Sequence, residues 1–282
     1  MFNIVIYILV GYGVYLLFGC ALQRRVVFPR HFTRYDPDDR ENFPDLEVWH
    51  LETEAGKTAG WFLPARNSKP EVPSPAVIFA YGNADVAADW APLLAPYRNA
   101  GIHVLIPEYR GYGSSDGSPS QRAIVSDFVE FYDRLADYES VDQDNIFFHG
   151  RSLGGGVVCA LSKERKPTAI VLSSTFTSIG EMARRYFFPA SLMKDEFDNK
   201  EALSTYEGPV LLLHGREDEL TPLSHAHKLK RAAPDAKLVI LPGDHNNMAP
   251  YIYGGVAWEH IFDFLAERGG ITPIENETSN MP

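Results

Sequence analysis

Cysteine is scarce in this chain of 282 residues: there are two, Cys20 within an apolar N-terminal run and Cys159 in a separate small-residue segment. Two cysteines so placed make no disulfide framework, so the fold must rest on a packed core. Basic residues are also few. Lys and Arg number 26 against 37 Asp and Glu, a net charge of -11 with no basic stripe, which excludes a nucleic-acid partner that needs its phosphates neutralised. Nine histidines are present, but none stands in a tight ligand spacing such as H-E-x-x-H, so no metal is expected. No fixed-period repeat divides the chain, and its length allows one large core in one main domain.

Charge is missing altogether from residues 2–22, and a helix of that length crosses about 30 Å of hydrocarbon at about 1.5 Å per residue. Residues 1–23 therefore read as a membrane anchor or a signal segment. No Lys or Arg precedes the run, while Arg24, Arg25, Arg30 and Arg34 follow it; taken alone, the positive-inside rule would keep the rest of the chain on the cytoplasmic face, and the side of the membrane stays open. A competing reading comes from Leu17-Phe18-Gly19-Cys20, a lipoprotein-like box that would lipidate Cys20 after cleavage. The missing basic n-region and the bulky Phe18 favour an uncleaved anchor.

What is present is organised around residues 145–159. A short apolar run, 146–148, has the length of a buried strand, and the small apolar segment 153–161 reads as a buried helix. Between them stands Gly150-Arg151-Ser152-Leu153-Gly154, a G-x-S-x-G turn that lifts a serine hydroxyl out of the backbone. Gly150 and Gly154 remove side chains where the turn crowds its strand and helix. Leu153 opens the helix, so its N–H faces a developing oxyanion.

Around this turn the chain alternates strands and helices. Two strands, 46–51 and 58–63, form an antiparallel edge joined by a turn at Ala55-Gly56. Residues 64–75 read as an exposed loop, 76–80 as a strand, 87–99 as a helix and 102–106 as the next strand. Ser118, Pro119 and Gln121 read as N-cap, first helical position and capping-box partner, with Ile124, Phe128, Phe131 and Leu135 on the core face. Strands at 169–173, 210–213 and 237–241 follow, then a last helix near 257–268 and a polar tail, 269–282, expected to be disordered. Residues 176–208, with Phe187, Phe188, Leu192, Met193 and Phe197, read as a small lid or crossover.

A serine hydroxyl needs a base to take its proton and an acid to orient that base. Ser152, Asp218 and His245 supply these parts in that order, each in a loop after a strand, and parallel strands deliver such loops to one sheet edge. Glu217, Glu219 and Asp244 are carboxylate rivals nearby. His149 and His214 read as hydrogen-bonded structural residues, His225 and His227 as residues of a surface helix. The second oxyanion donor is expected from Asn83, after the 76–80 strand, where Gly82 lets the chain turn.

Together these stretches resemble the α/β-hydrolase superfamily, within it a group of small-lid, membrane-anchored serine hydrolases with H-G-N-A, D-Y-R-G-Y-G-x-S, G-x-S-L-G-G, H-G-x-x-D-x-x-x-P and G-x-H-N motifs. The corresponding residues here are Tyr81 to Ala84, Glu108 to Ser115, Gly150 to Gly155, His214 to Pro222 and Gly243 to Asn246. The match runs over residues 28–268. It departs at Tyr81, where the group has His and where an altered entrance beside the oxyanion loop is expected, and at Glu108, where the group has Asp. The resemblance implies an α/β-hydrolase fold: a mostly parallel central sheet with helices on both faces, a small lid and an N-terminal membrane helix. It also implies cofactor-free cleavage of carboxylic ester or thioester bonds, in some relatives removal of fatty acyl groups from proteins. A serine peptidase, or an inactive binding protein on the same fold, are the rival readings.

Overall fold

The computed structural model describes residues 2–33, 35–66, 72–246 and 255–269. Eight strands form one sheet in the order β1-β2-β4-β3-β5-β6-β7-β8. β1 (Glu47–Thr53) and β2 (Gly56–Leu63) pair antiparallel, and β2 pairs antiparallel with β4 (His103–Pro107). From β4 onward all pairs are parallel, through β3 (Ser74–Ala80), β5 (Val141–Arg151), β6 (Ile170–Ser173), β7 (Val210–Gly215) and β8 (Ala236–Leu241). The antiparallel edge expected from the first two strands is therefore present. Central strands are apolar on both faces because helices cover both. Phe147 and Phe148 make this visible: adjacent on β5, they point oppositely, Phe147 to Tyr97 of α3 (Ala95–Asn99) and Phe148 to Tyr132 of α4 (Gln121–Ala136).

On the α4 side lie α5 (Leu153–Leu161), α7 (Asn199–Thr205) and α8 (Ser224–Ala232). On the other side α3 meets α9 (Val256–Gly269), with Tyr97 edge-on to Trp258 at 4.7 Å. The apolar stripe Ile124, Phe128, Phe131 and Leu135 of α4 is fully buried. The N-terminal run is one helix, α1 (Phe2–Val27), long and apolar enough to cross a membrane, with most of its side chains exposed.

Three expectations are corrected. Residues 87–99 do not form one helix but two short ones, α2 (Ala87–Trp90) and α3, because Pro92 and Pro96 lack the N–H that a continuous helix needs. The cap of α4 is Ser120, not Ser118; its hydroxyl accepts from the Ala123 N–H at 3.2 Å. Gln121 forms no capping box, since its side-chain oxygen accepts from the Phe197 N–H at 2.9 Å. The segment 176–208 divides in two. Its second half, α7, buries Ala202 and Leu203 in the main helical layer, and only the first half, with α6 (Ile179–Arg184), stands over the sheet edge. The tail expected to be disordered lies outside the described residues except Gly269, which closes α9.

Candidate active site

The C-terminal ends of β3, β5, β7 and β8 reach the same sheet edge, and each carries one element of the site. At the end of β5 the chain turns so sharply that Ser152 has φ 51° and ψ -115°, outside the regions that L-residues favour. Two glycines make this possible. A Cβ on Gly154 would overlap the Ala80 carbonyl at the end of β3, and one on Gly150 would overlap the Gly154 carbonyl. The Ser152 carbonyl is held by the Thr175 hydroxyl at 2.8 Å, and its own hydroxyl does not cap α5.

That hydroxyl instead meets His245. Ser152 Oγ lies 3.0 Å from His245 Nε2, and His245 Nδ1 lies 2.8 Å from Asp218 Oδ2. Asp218 also accepts from the Thr221 N–H at 2.7 Å and from the Thr221 hydroxyl at 2.7 Å. Burial would raise the Asp218 carboxyl, but hydrogen bonds from His245 and Thr221 outweigh it and hold the group below its ordinary range. An ionised Asp218 can only accept, so Nδ1 of His245 carries the proton and Nε2 is left to accept from Ser152. All three are buried or nearly so. The rival carboxylates are elsewhere: Glu217 accepts from the Gly243 N–H, Asp244 from the Asn246 N–H, and Glu219 is exposed.

Asn83 and Leu153 line the same cavity as Ser152, of about 460 Å³, within the size usual for small-ligand sites. Leu153 is the first residue of α5, where a helix leaves its N–H groups without intrahelical partners. Much of the remaining lining is apolar, with Ile179, Met182, Phe188 and Met193 contributed by the segment after β6. Of the aromatic and aliphatic residues singled out in 176–208, Phe188 and Met193 face this cavity, whereas Phe197 is fully buried against Phe28 and Phe187 is exposed.

Other residues resolve differently from their sequence reading. Tyr81 is not at an entrance: it is fully buried, its ring tilted 39° against that of Tyr109 with centroids 4.4 Å apart, and its hydroxyl accepts from the Tyr109 N–H. Glu108 is buried too, its Oε2 accepting from Ser114 N–H at 2.8 Å, and burial raises its carboxyl to about 7. His225 is not a surface residue, because its Nδ1 lies 2.9 Å from the buried Thr177 hydroxyl, while His227 is exposed. His149 and His214 are hydrogen-bonded as expected, to Tyr97 and Ser173 and to the Thr221 carbonyl.

Two contributors escaped the sequence. Thr221 holds both oxygens of Asp218, and its only signal was its place in the acid-bearing loop. Arg151 ties three loops together: it donates to the His245 carbonyl at 3.1 Å and pairs with Asp85 at 3.4 Å, while Asp85 accepts from the Gly82 N–H at 3.0 Å. Its signal was the variable position beside the serine, which the pattern leaves open.

Comparison with known proteins bears on this arrangement. A family described as serine aminopeptidase, S33, matches residues 71–197, a stretch that holds Asn83 and Ser152 and ends before Asp218 and His245. The Mycobacterium tuberculosis protein Rv2307c is similar over 264 residues at 30% identity, 92% of each chain. WAV2 of Arabidopsis thaliana, an α/β-hydrolase domain-containing protein, is 30% identical over 243 residues, 78% of each chain. In fold the chain is similar to esterase 2 of Thermogutta terrifontis, with TM-score 0.67 over 82% of this chain and 97% of that one at 16% identity. The parallel sheet, the strained serine turn after β5 and relatives of this extent lead to one statement of kinship: the chain belongs to the α/β-hydrolase superfamily.

Proposed function

We propose that the protein is a serine hydrolase that cleaves carboxylic ester or thioester bonds through an acyl-enzyme on Ser152. The observation that carries this reading is the unbroken chain from Ser152 Oγ to His245 to Asp218, at 3.0 and 2.8 Å, at the floor of an apolar cavity. Ser152 Oγ attacks the acyl carbon while His245 Nε2 takes its proton, and the N–H groups of Asn83 and Leu153 receive the oxyanion. The acyl carbon's bond to the leaving oxygen or sulfur then breaks, and that atom takes the proton from His245. Water attacks the acyl-enzyme, giving one proton to His245, which returns it to Ser152 as the acid leaves.

The cavity lining favours an acyl group over a peptide amine. A peptide's α-ammonium calls for a carboxylate, and among the described residues lining the cavity there is no Asp or Glu. The family description of a serine aminopeptidase is the observation on the other side. The segment 176–198 acts as the lid in this reading. α1 serves as an uncleaved anchor, because cleavage before Cys20 would discard Tyr12, Tyr15 and Gly19, all of which touch this segment.

The test is labelling of the full chain by a fluorophosphonate probe, which reports an activated serine. Native protein should label and Ser152→Ala should not. A folded native protein that stays unlabelled would favour the inactive binding protein instead.

A further inference from the structure

α1 is not merely attached to the hydrolase domain; it forms part of the cavity. Tyr15, Gly19, Leu22 and Val26 line the same space as Ser152, together with Met182 and Phe188. Gly19 sits directly against the Phe188 ring. Lower down, Gln23 donates to the Leu192 carbonyl at 3.1 Å and accepts from the Lys194 N–H at 2.7 Å, and Arg24 pairs with the buried Asp195 at 2.7 Å. The cavity thus has two walls, one from residues 176–198 and one from the apolar helix.

The tip of the first wall climbs α1. The Tyr12 hydroxyl donates to the Phe187 carbonyl at 2.8 Å, and the Tyr15 hydroxyl donates to the Tyr186 carbonyl at 2.7 Å. At about 1.5 Å per residue, these tyrosines lie roughly 15 Å and 10 Å along the helix from Leu22, well inside the apolar run and away from Arg24 and Arg25. The tip itself exposes Tyr186 and Phe187, at 63% and 81%, beside the exposed Leu220. In water its carbonyls would need no protein partner. In hydrocarbon, irregular backbone is tolerated only where its polar groups are satisfied from within the protein, which is what the two tyrosines do.

We propose that this tip is immersed in the bilayer and that the cavity opens sideways between α1 and α6, so that the substrate is a membrane-resident long-chain acyl ester or thioester whose chain enters along α1. The inference rests on the serine hydrolase reading above and names its substrate class. The acyl chain lies against Gly19, Leu22 and Phe188, and its carbonyl reaches Ser152. The head group stays near Arg24 and Arg25, at the level where the apolar run ends. Gly19 sets the width of the opening in this reading, since a side chain there would collide with the Phe188 ring, which lines the cavity beside it.

The full chain in phosphatidylcholine vesicles tests this in two ways. Phe187→Trp adds an indole at the exposed tip, and its emission, taken as the difference from native protein, should be quenched by lipids brominated along their acyl chains. Quenching by aqueous iodide and not by the brominated lipids would overturn the immersion. Separately, Gly19→Trp should lower the ratio of palmitoyl to acetyl ester turnover at least tenfold; an unchanged ratio in a variant that still labels at Ser152 would overturn the role of α1. Release of palmitate from a glycerolipid, or from an S-palmitoylated peptide in the same vesicle, identifies the source of the chain, and release from neither by labelled enzyme overturns the substrate class. Failure of the native protein to label with fluorophosphonate defeats the hydrolase reading itself, an outcome separate from all of these.

Discussion

Asp218 sets the electrostatics of the site, because its ionised oxygens fix the tautomer of His245, and Thr221 fixes Asp218 in turn. Asp218→Asn should leave the protein folded but lower kcat by about 10³- to 10⁴-fold, since an amide in that place permits the wrong tautomer. Steady-state hydrolysis of a p-nitrophenyl ester measures it, and a loss below tenfold would assign the acid role elsewhere. Thr221→Val should cost less, because His245 still holds one oxygen of Asp218.

Glu108 is a residue whose charge the fold disfavours. Its carboxyl is raised from 4.5 to about 7, chiefly by burial. A group raised in the folded state binds protons that the unfolded chain has released, so its contribution is complete below about pH 4.5 and is lost as pH rises through about 7. The loss amounts to roughly 3 kcal/mol at 1.36 kcal/mol per pH unit. Between pH 5 and pH 8 native protein should lose stability that Glu108→Gln retains. Thermal melts in detergent across that range should converge at low pH and separate at high pH; parallel curves would show that Glu108 is charged at little cost.

At the scale of elements, the serine turn is a joint between β5, α5 and the end of β3, and Gly154 is the point where they touch. Backbone carbonyls of Ala80 and Tyr81 surround it, and neither can swing aside as a flexible side chain would. Gly154→Ala should therefore destabilise the fold by about 3 kcal/mol, lowering the melting midpoint by roughly 6–10 °C, and should reduce fluorophosphonate labelling by moving the Asn83 loop. A midpoint within 2 °C of native, roughly what a surface change produces, would contradict the close packing seen here. Arg151 works at the same scale, since it positions the His245 and Gly82 loops against one another without facing the cavity. Arg151→Met should lower kcat by about tenfold to a hundredfold while leaving KM close to native; a change confined to KM would mean that Arg151 meets substrate.

For the whole molecule, we propose an orientation from charge. Arg24, Arg25 and Arg30 flank the C-terminal end of α1, and the positive-inside rule would then put the hydrolase domain on the cytoplasmic side. Protease added to sealed vesicles of known orientation should digest the domain only where the cytoplasmic face is outward. Protection in those vesicles would reverse the assignment.

The order of strands and helices, the antiparallel edge and the strand-to-helix turn around Ser152 were legible because each depends on local rules: apolar runs, period, glycine where a Cβ will not fit. Asp218 and His245 were legible as loop residues after strands, since parallel topology alone brings such loops to one edge. What the chain hid are contacts between segments distant in sequence. Gln121 looks like a capping residue until Phe197 claims its side chain, His225 looks like a surface residue until Thr177 covers it, and Arg151 occupies a position the motif leaves open. The apolar run of residues 2–22 announces a helix able to cross a membrane, because composition and length suffice for that. Only the tertiary structure shows that the same helix lines the cavity that holds Ser152, because that depends on which face of α1 meets residues 176–198, and an all-apolar sequence marks no face.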